Sequence, residues 1–244
     1  MTWVVVGASS GLGRSLSTEL AVRGGALLLV SSDARDLSAL CADLELRFSC
    51  RARYMESDGR DPAGMADALA EALGEAARID GILLPIGMID DGDDGALPPD
   101  RAAAIVNVNF LAVSAVVSRL LPRLASQRSG SLVGFGSVAA LRGRSRNVVY
   151  SAAKRALQGY FESLRHACEP KGLAVAFYVL GYMDTSMAYG RRLAIPKANP
   201  DAVAAHVCDH LGRHRGVHYV PRFWGPISLV VRNMPWALFR RLSF

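Results

Sequence analysis

The sequence predicts an α/β protein, a doubly wound parallel sheet of about seven strands with helices on both faces. Two observations carry that expectation. Short apolar runs alternate with longer stretches of helical period from the first residues to about Val220, as expected of strands buried on both faces and joined through crossover helices. A glycine-rich turn, Gly7-Ala8-Ser9-Ser10-Gly11-Leu12-Gly13, separates the first apolar run from the first helical stretch, and open sheets of this kind bind ligands at the carboxyl ends of their strands.

In chain order, Trp3–Val6 reads as the first strand and Ala26–Val30 as the second, with Arg51–Met55 a weaker third. Ile82–Ile86, Leu132–Phe135, Leu173–Val179 and Val217–Val220 complete the set. The glycine turn opens a helix that runs through Leu20. Glycines there permit a tight turn and close backbone approach, and the helix N-terminus offers unpaired N–H groups to a pyrophosphate. Gly7, Ser9, Ser10, Gly11, Leu12 and Gly13 are therefore candidate nucleotide-binding residues of a Rossmann-type sheet.

The second strand ends in Ser31-Ser32-Asp33-Ala34-Arg35. An acid at that place would hold the ribose hydroxyls of NAD, whereas small polar residues with a nearby arginine accept the 2′-phosphate of NADP. Ser31, Ser32 and Arg35 favour NADP, and Asp33 weighs against it. Asp58, in Asp58-Gly59-Arg60-Asp61-Pro62, either contacts the adenine or belongs to the turn, with Pro62 set early in the next helix.

The chain's 244 residues are enough for a substantial core, and 51% hydrophobic against 20% charged residues describes a globular chain. Residues 1–220 are expected to form one nucleotide-binding catalytic domain and 221–244 an apolar, basic extension. No uninterrupted apolar run reaches the ~20 residues of a bilayer span, and Met1-Thr2-Trp3 leads straight into a strand without a leader. Cys41, Cys50, Cys168 and Cys208 show no metal-ligand pairing and read as reduced thiols. A cytoplasmic location follows. The net charge of +6 is concentrated at the C-terminal end, where six arginines and no acid lie between His210 and Phe244. No recognition motif accompanies them, so nucleic acid is not expected as a partner.

Tyr150 and Lys154 are four residues apart, on one face of the helix predicted there. A phenol with a pKa of ~10 exchanges protons poorly at neutral pH, and a neighbouring ammonium draws that value down. The pair reads as an acid/base unit. Ser137 precedes Tyr150 by thirteen residues, and Asn109 precedes Ser137 by twenty-eight.

With these motifs in this order the chain resembles the short-chain dehydrogenase/reductase family from Thr2 to about Val220. The resemblance implies NAD(P)-dependent hydride transfer between a nicotinamide and a carbonyl or alcohol, with Asn109, Ser137, Tyr150 and Lys154 as the catalytic set. Tyr150 would exchange the proton of the substrate oxygen and Ser137 would position that oxygen. Lys154 would tune Tyr150 and hold the ribose, and Asn109 would hold a water linking Lys154 to solvent. Gly87 and Thr185 would contact the cofactor, Thr185 at the carboxamide. A homodimer or homotetramer is also implied, and no metal. The chain departs from the family pattern at Val6, at Leu84-Pro85-Ile86-Gly87 and at Leu180-Gly181, which removes side-chain hydrogen bonds that normally brace the central strand. The rival reading is a non-catalytic nucleotide sensor or scaffold of the same fold.

Asp90-Asp91-Gly92-Asp93-Asp94-Gly95 lacks the terminal glutamate of a calcium loop and reads as a solvated acidic loop. His206, His210, His214 and His218 recur every four residues, but Gly212 and Gly216 interrupt the helix, so solvent-facing histidines beside a core stripe of Val203, Val207 and Leu211 are expected. Arg142, Arg144, Arg146, Arg191, Arg192 and Lys197 lie in the segments that border the substrate cleft in the family, which suits a phosphate or carboxylate on the substrate. From Pro221 onward, apolar and aromatic residues interleave with arginines. That pattern suits peripheral contact with the inner face of a membrane, or packing over the cleft or a partner subunit. The tail and cleft charges are similar to those of bacterial reductases of lipid-linked keto-sugars, such as decaprenylphosphoryl-2-keto-ribose reductase, implying a hydrophobic, lipid-linked substrate.

Overall fold

The computed structural model describes residues 2–74, 78–184 and 197–241. Its seven strands are β1 (Thr2–Val6), β2 (Ala26–Ser31), β3 (Ala52–Glu56), β4 (Ile79–Leu84), β5 (Ser131–Ser137), β6 (Ala174–Leu180) and β7 (Gly216–Val220). They pair in parallel in the order β3-β2-β1-β4-β5-β6-β7. The order reverses between β1 and β4, and the carboxyl ends of those two strands open the crevice in which such sheets bind nucleotides.

Helices α1 (Gly11–Val22), α2 (Ala34–Phe48) and α7 (Pro200–Asp209) cover one face of the sheet. There Leu16, Leu20, Leu37, Leu44, Val203 and Val207 join the inward residues of the strands in one apolar core. Helices α3 (Pro62–Leu73), α5 (Ala112–Gln127) and α6 (Val148–Cys168) cover the other face through Leu69, Val113, Val116, Leu120, Leu157 and Phe161. Each such side chain contributes roughly 1.5–3 kcal/mol by leaving water. Helix α4 (Pro99–Val106), a π-helical turn (Asn107–Leu111) and α5 form one continuous helical stretch. That stretch, Pro99–Gln127, is apolar and long enough to cross a membrane by length and composition alone, yet Val113, Val116, Val117, Leu120 and Leu124 are buried in the core.

Four sequence expectations change. The fourth strand is Ile79–Leu84 rather than Ile82–Ile86, because Pro85 has no N–H to continue the ladder and Pro85–Gly87 leave the sheet to line the cleft. The acidic loop is not wholly solvated: Asp93 is 3% exposed. Its carboxylate accepts from the N–H groups of Val149 at 3.0 Å and Tyr150 at 2.9 Å, and its carbonyl from Asn147 at 2.7 Å. Asn147, at the start of α6, gives no side-chain cap, so a carboxylate from fifty-odd residues upstream satisfies the helix's first donors and meets its dipole. Asp90 is held by Arg101 through two bonds of 2.7 and 2.5 Å.

The third change concerns the histidines. His206, His210, His214 and His218 are half-buried rather than solvent-facing. The rings of His210 and His214 stack at 3.9 Å, and those of His214 and His218 at 4.0 Å.

Beyond β7 the chain forms α8 (Trp224–Asn233) and α9 (Trp236–Phe239). Arg142 does not enter the cleft as its position suggests. It donates to the carbonyls of Val231 and Met234 and lies 4.3 Å from the centre of the Phe239 ring, fastening the extension to the body.

Candidate active site

The floor of the cleft is the turn after β1. Gly7 has φ +95°, and a Cβ there would meet the backbone of Ile86 at 2.7 Å. Ser10 caps α1 by accepting from Gly13 N–H at 3.1 Å while donating to the Gly7 carbonyl at 2.8 Å, which closes the turn. Ser9 and Ser31 share a hydrogen bond of 2.5 Å that ties the turn to the end of β2. Ser9, Ser10, Ser31, Ser32, Asp58 and Gly87 line one continuous groove from the turn to the far end of β2.

The second half of the cleft lies over the ends of β4, β5 and β6, where Ser137, Tyr150 and Lys154 converge with Ser10, Gly11 and Leu12. Ser137 ends β5, and its hydroxyl faces the same cleft as Tyr150. Lys154, one helical turn after Tyr150, donates from Nζ to the carbonyls of Ile86 at 3.1 Å and Phe135 at 3.3 Å. Asn109 sits in the π-helical turn, a feature often found at functional sites. It is fully buried, donates to Met88 O at 2.7 Å and to Ile105 O at 2.9 Å, and accepts from Met88 N–H at 3.3 Å. A Cβ on Gly87 would lie 3.2 Å from Asn109 Oδ1 and 3.4 Å from Lys154 Nζ, so any side chain there would press on both groups.

A family model of the short chain dehydrogenases matches residues 1–194. The chain belongs to the short chain dehydrogenase family. It is an NAD(P)-dependent oxidoreductase of that family, with the same sheet and flanking helices. Among curated relatives, an uncharacterized oxidoreductase of Mycobacterium tuberculosis is 27% identical over 239 residues, covering 98% of this chain and 96% of that protein. A very-long-chain 3-oxoacyl-CoA reductase of Aspergillus fumigatus is 27% identical over 223 residues, covering 88% of this chain and 63% of the reductase. The solved short-chain dehydrogenase from Sphingobium yanoikuyae in complex with NADPH shares the fold at TM-score 0.83 and 22% identity, over 99% of this chain and 96% of that one.

In this dehydrogenase burial acts on both members of the pair. Burial pushes the Tyr150 phenol upward, opposed by the Ser137 hydrogen bond and by the charge of Arg144. The Lys154 ammonium is engaged with the two carbonyls, and burial pushes it from 10.5 down to about 8. Arg144, expected beside the cleft, lines it, and its charge acts on Tyr150.

Arg35 is also placed differently. Its side chain is 94% exposed, pairs with Asp33 at 3.7 Å and stays outside the groove. Asp33 turns towards α2, where it accepts from the N–H groups of Arg35 and Asp36 at 3.0 and 3.2 Å, so its role is that of a helix cap. The arginine that does line the groove is Arg60, beside Ser57. Sequence reasoning missed both, since Arg60 read as part of the turn that follows Asp58. Asp58 lines the groove and accepts from Arg60 N–H at 2.9 Å within the turn. Thr185, Arg191 and Arg192 lie outside the described residues.

The cradle fits a nicotinamide dinucleotide. A Cβ on Gly7 would meet the Ile86 backbone and one on Gly13 the Gly7 carbonyl, so only glycines let the turn close this tightly, and Gly11 and Leu12 at the amino end of α1 line the cleft.

Proposed function

We propose that this dehydrogenase uses NADP(H) to interconvert a hydrophobic ketone and its alcohol, with Asn109, Ser137, Tyr150 and Lys154 carrying the chemistry. The observation behind the proposal is the convergence of Ser137, Tyr150 and Lys154 in the cleft that the glycine turn enters. The nicotinamide supplies or accepts the hydride. Tyr150 gives or takes the proton at the substrate oxygen. Ser137 positions that oxygen, and the charge of Arg144 favours the phenolate as it forms. Lys154 binds the ribose hydroxyls, and Asn109 holds the loop at Met88 in place beside it.

NADP is favoured over NAD because Asp33 is spent on the cap while Ser31, Ser32 and Arg60 line the groove. A hydrophobic substrate is favoured because Ile89, Phe135, Leu180, Tyr182 and Met183 line the cleft around Tyr150. Arg144 is placed to meet a phosphate or carboxylate on it. Calorimetric titration with NADPH and NADH, on wild type and Tyr150→Phe, tests the cofactor half. Saturable binding to both proteins with NADPH preferred supports the reading, and no binding by either nucleotide defeats it. Turnover of 3-oxoacyl thioesters of increasing length tests the other half: kcat/KM should rise with chain length, and equal rates for short methyl ketones would defeat it.

A peripheral membrane position is a second reading, favoured by Leu229, Val230, Trp236 and Leu238, which are 67%, 61%, 64% and 54% exposed beside Arg232, Arg240 and Arg241. The domain would then be residues 1–220, with 221–244 as the contact and a cytoplasmic leaflet as the surface. Within the same extension Trp224 is buried, its indole against Gly181 and 6.0 Å from the Tyr182 ring, so its first turn belongs to the wall of the cleft. A homodimer or homotetramer is the expected assembly, checked by light scattering on the purified chain.

A further inference from the structure

Four of the five histidines of this chain meet in one place, away from the cleft. His206 lies in the last turn of α7, His210 just past its end, His214 in the turn that follows, and His218 on the edge strand β7. One ring nitrogen from each of His206, His210 and His214 lies within 4.8 Å of the others. The helix does end after Asp209, but the connection to β7 folds back and restores the convergence that the interruption seemed to remove.

The hydrogen bonds assign the protons. His210 Nδ1 is 2.7 Å from the His206 carbonyl, and a carbonyl only accepts, so Nδ1 carries the hydrogen and Nε2 keeps a lone pair. His214 Nδ1 meets the Tyr178 hydroxyl at 3.0 Å; with Nδ1 donating to that oxygen, Nε2 keeps a lone pair for another partner. Each of these two rings therefore has one nitrogen anchored by an oxygen and the other available, the arrangement that orients and polarises metal-bound imidazoles. His218 donates from Nε2 to the Arg215 carbonyl at 3.1 Å and stacks on His214 with an interplanar angle of 9°, holding that ring in place.

We propose that His206, His210 and His214 bind one borderline divalent transition-metal ion, of the Zn²⁺ or Ni²⁺ class, with water in the remaining position. Three imidazoles and no oxygen donor exclude a Mg²⁺ or Ca²⁺ site. The ion would pin α7 to the turn before β7, closing the edge of the sheet beside β6, and would leave nucleotide binding untouched.

The test uses the full chain, free of any histidine tag and stripped with chelator. Titration with Co²⁺ should give visible absorption bands of a nitrogen-ligated site that saturate at one equivalent and vanish when Zn²⁺ is added. His210→Ala and His214→Ala should each weaken binding at least about tenfold, while His166→Ala should not change it, with NADPH binding as the check on folding. A wild-type chain that shows no saturable bands up to about 100 μM metal overturns the proposal whatever the variants do. So does binding that survives both substitutions in folded protein.

Discussion

Replacing Lys154 by Met keeps the length of the stem and removes a buried charge, and its effect on stability changes with pH in a way that can be worked out. The unfolded chain holds the Lys154 proton to about pH 10.4, whereas burial in the fold lowers the value to about 8. Below pH 8 both states are protonated, and the shift means that the buried ammonium costs about 3 kcal/mol at 1.36 kcal/mol per unit. Between the two values the unfolded state binds more protons, so wild-type stability rises with pH. From about pH 7 to about pH 9.5 the relief amounts to about 2 kcal/mol, while the variant has nothing to titrate. The bonds from Nζ to Ile86 and Phe135 are present at both pH values and fall out of the comparison. Tyr150, raised by burial, acts in the opposite sense above its unfolded value of ~10, which is why the window stops short of it. Urea denaturation of wild type and Lys154→Met at the two pH values measures the quantity directly. A stability gap that moves by less than about 0.5 kcal/mol would mean that the fold leaves Lys154 at its ordinary pKa, and the reasoning would be refuted.

Tyr150→Phe should lower kcat by at least about a hundredfold, the scale of lost general acid–base catalysis, with NADPH affinity within a factor of about two; an active variant would move the proton elsewhere. Arg60→Ala should weaken NADPH about tenfold or more, as for a lost charge-assisted bond, and leave NADH unchanged. Arg35→Ala should change neither, and isothermal titration distinguishes the two outcomes. Asp93→Ala should remove about 1–2 kcal/mol of stability through the loss of the α6 cap, and it should also lower kcat because the capped residues include Tyr150. Retained stability in urea would show that water replaces the carboxylate without loss. Truncation after Val220 should abolish pelleting with anionic liposomes, and equal pelleting of the shortened chain would remove the membrane reading.

The sheet was legible because its strands are short apolar runs with turn residues at their ends, and Gly7 to Gly13 and Tyr150 to Lys154 are local patterns that keep their geometry on a helix or a turn. What escaped was set by partners distant in sequence. Asp93 resembles its neighbours in an acidic loop, and nothing local reveals that the amino end of α6 lacks a cap of its own. Arg35 and Arg60 each stand beside an acid at the end of a strand, and only the path of the backbone decides which one faces the groove. The histidines were discounted because a helix of uniform period was the only geometry considered. A turn of a few residues brought the rings together instead.

The departures at Leu84-Pro85-Ile86 were expected to leave the central strand without its side-chain braces. The structure places those braces on neighbours that bind only main-chain atoms. Asn109 grips both the N–H and the carbonyl of Met88, and Lys154 holds the carbonyl of Ile86. Neither contact consults the side chains at positions 84–86, so apolar residues there keep the loop in register while giving the cleft an apolar wall. It follows that the load falls on Asn109. Asn109→Ala removes three hydrogen bonds from a fully buried site and leaves the Met88 and Ile105 carbonyls unpaired by it, a loss of about 2–4 kcal/mol at 1–3 for each stranded group with partial relaxation. The loop that carries Gly87 past Lys154 would loosen with it, so nucleotide affinity should fall in this variant as well as turnover. Unchanged NADPH binding in a folded Asn109→Ala protein would show that the strand end holds itself.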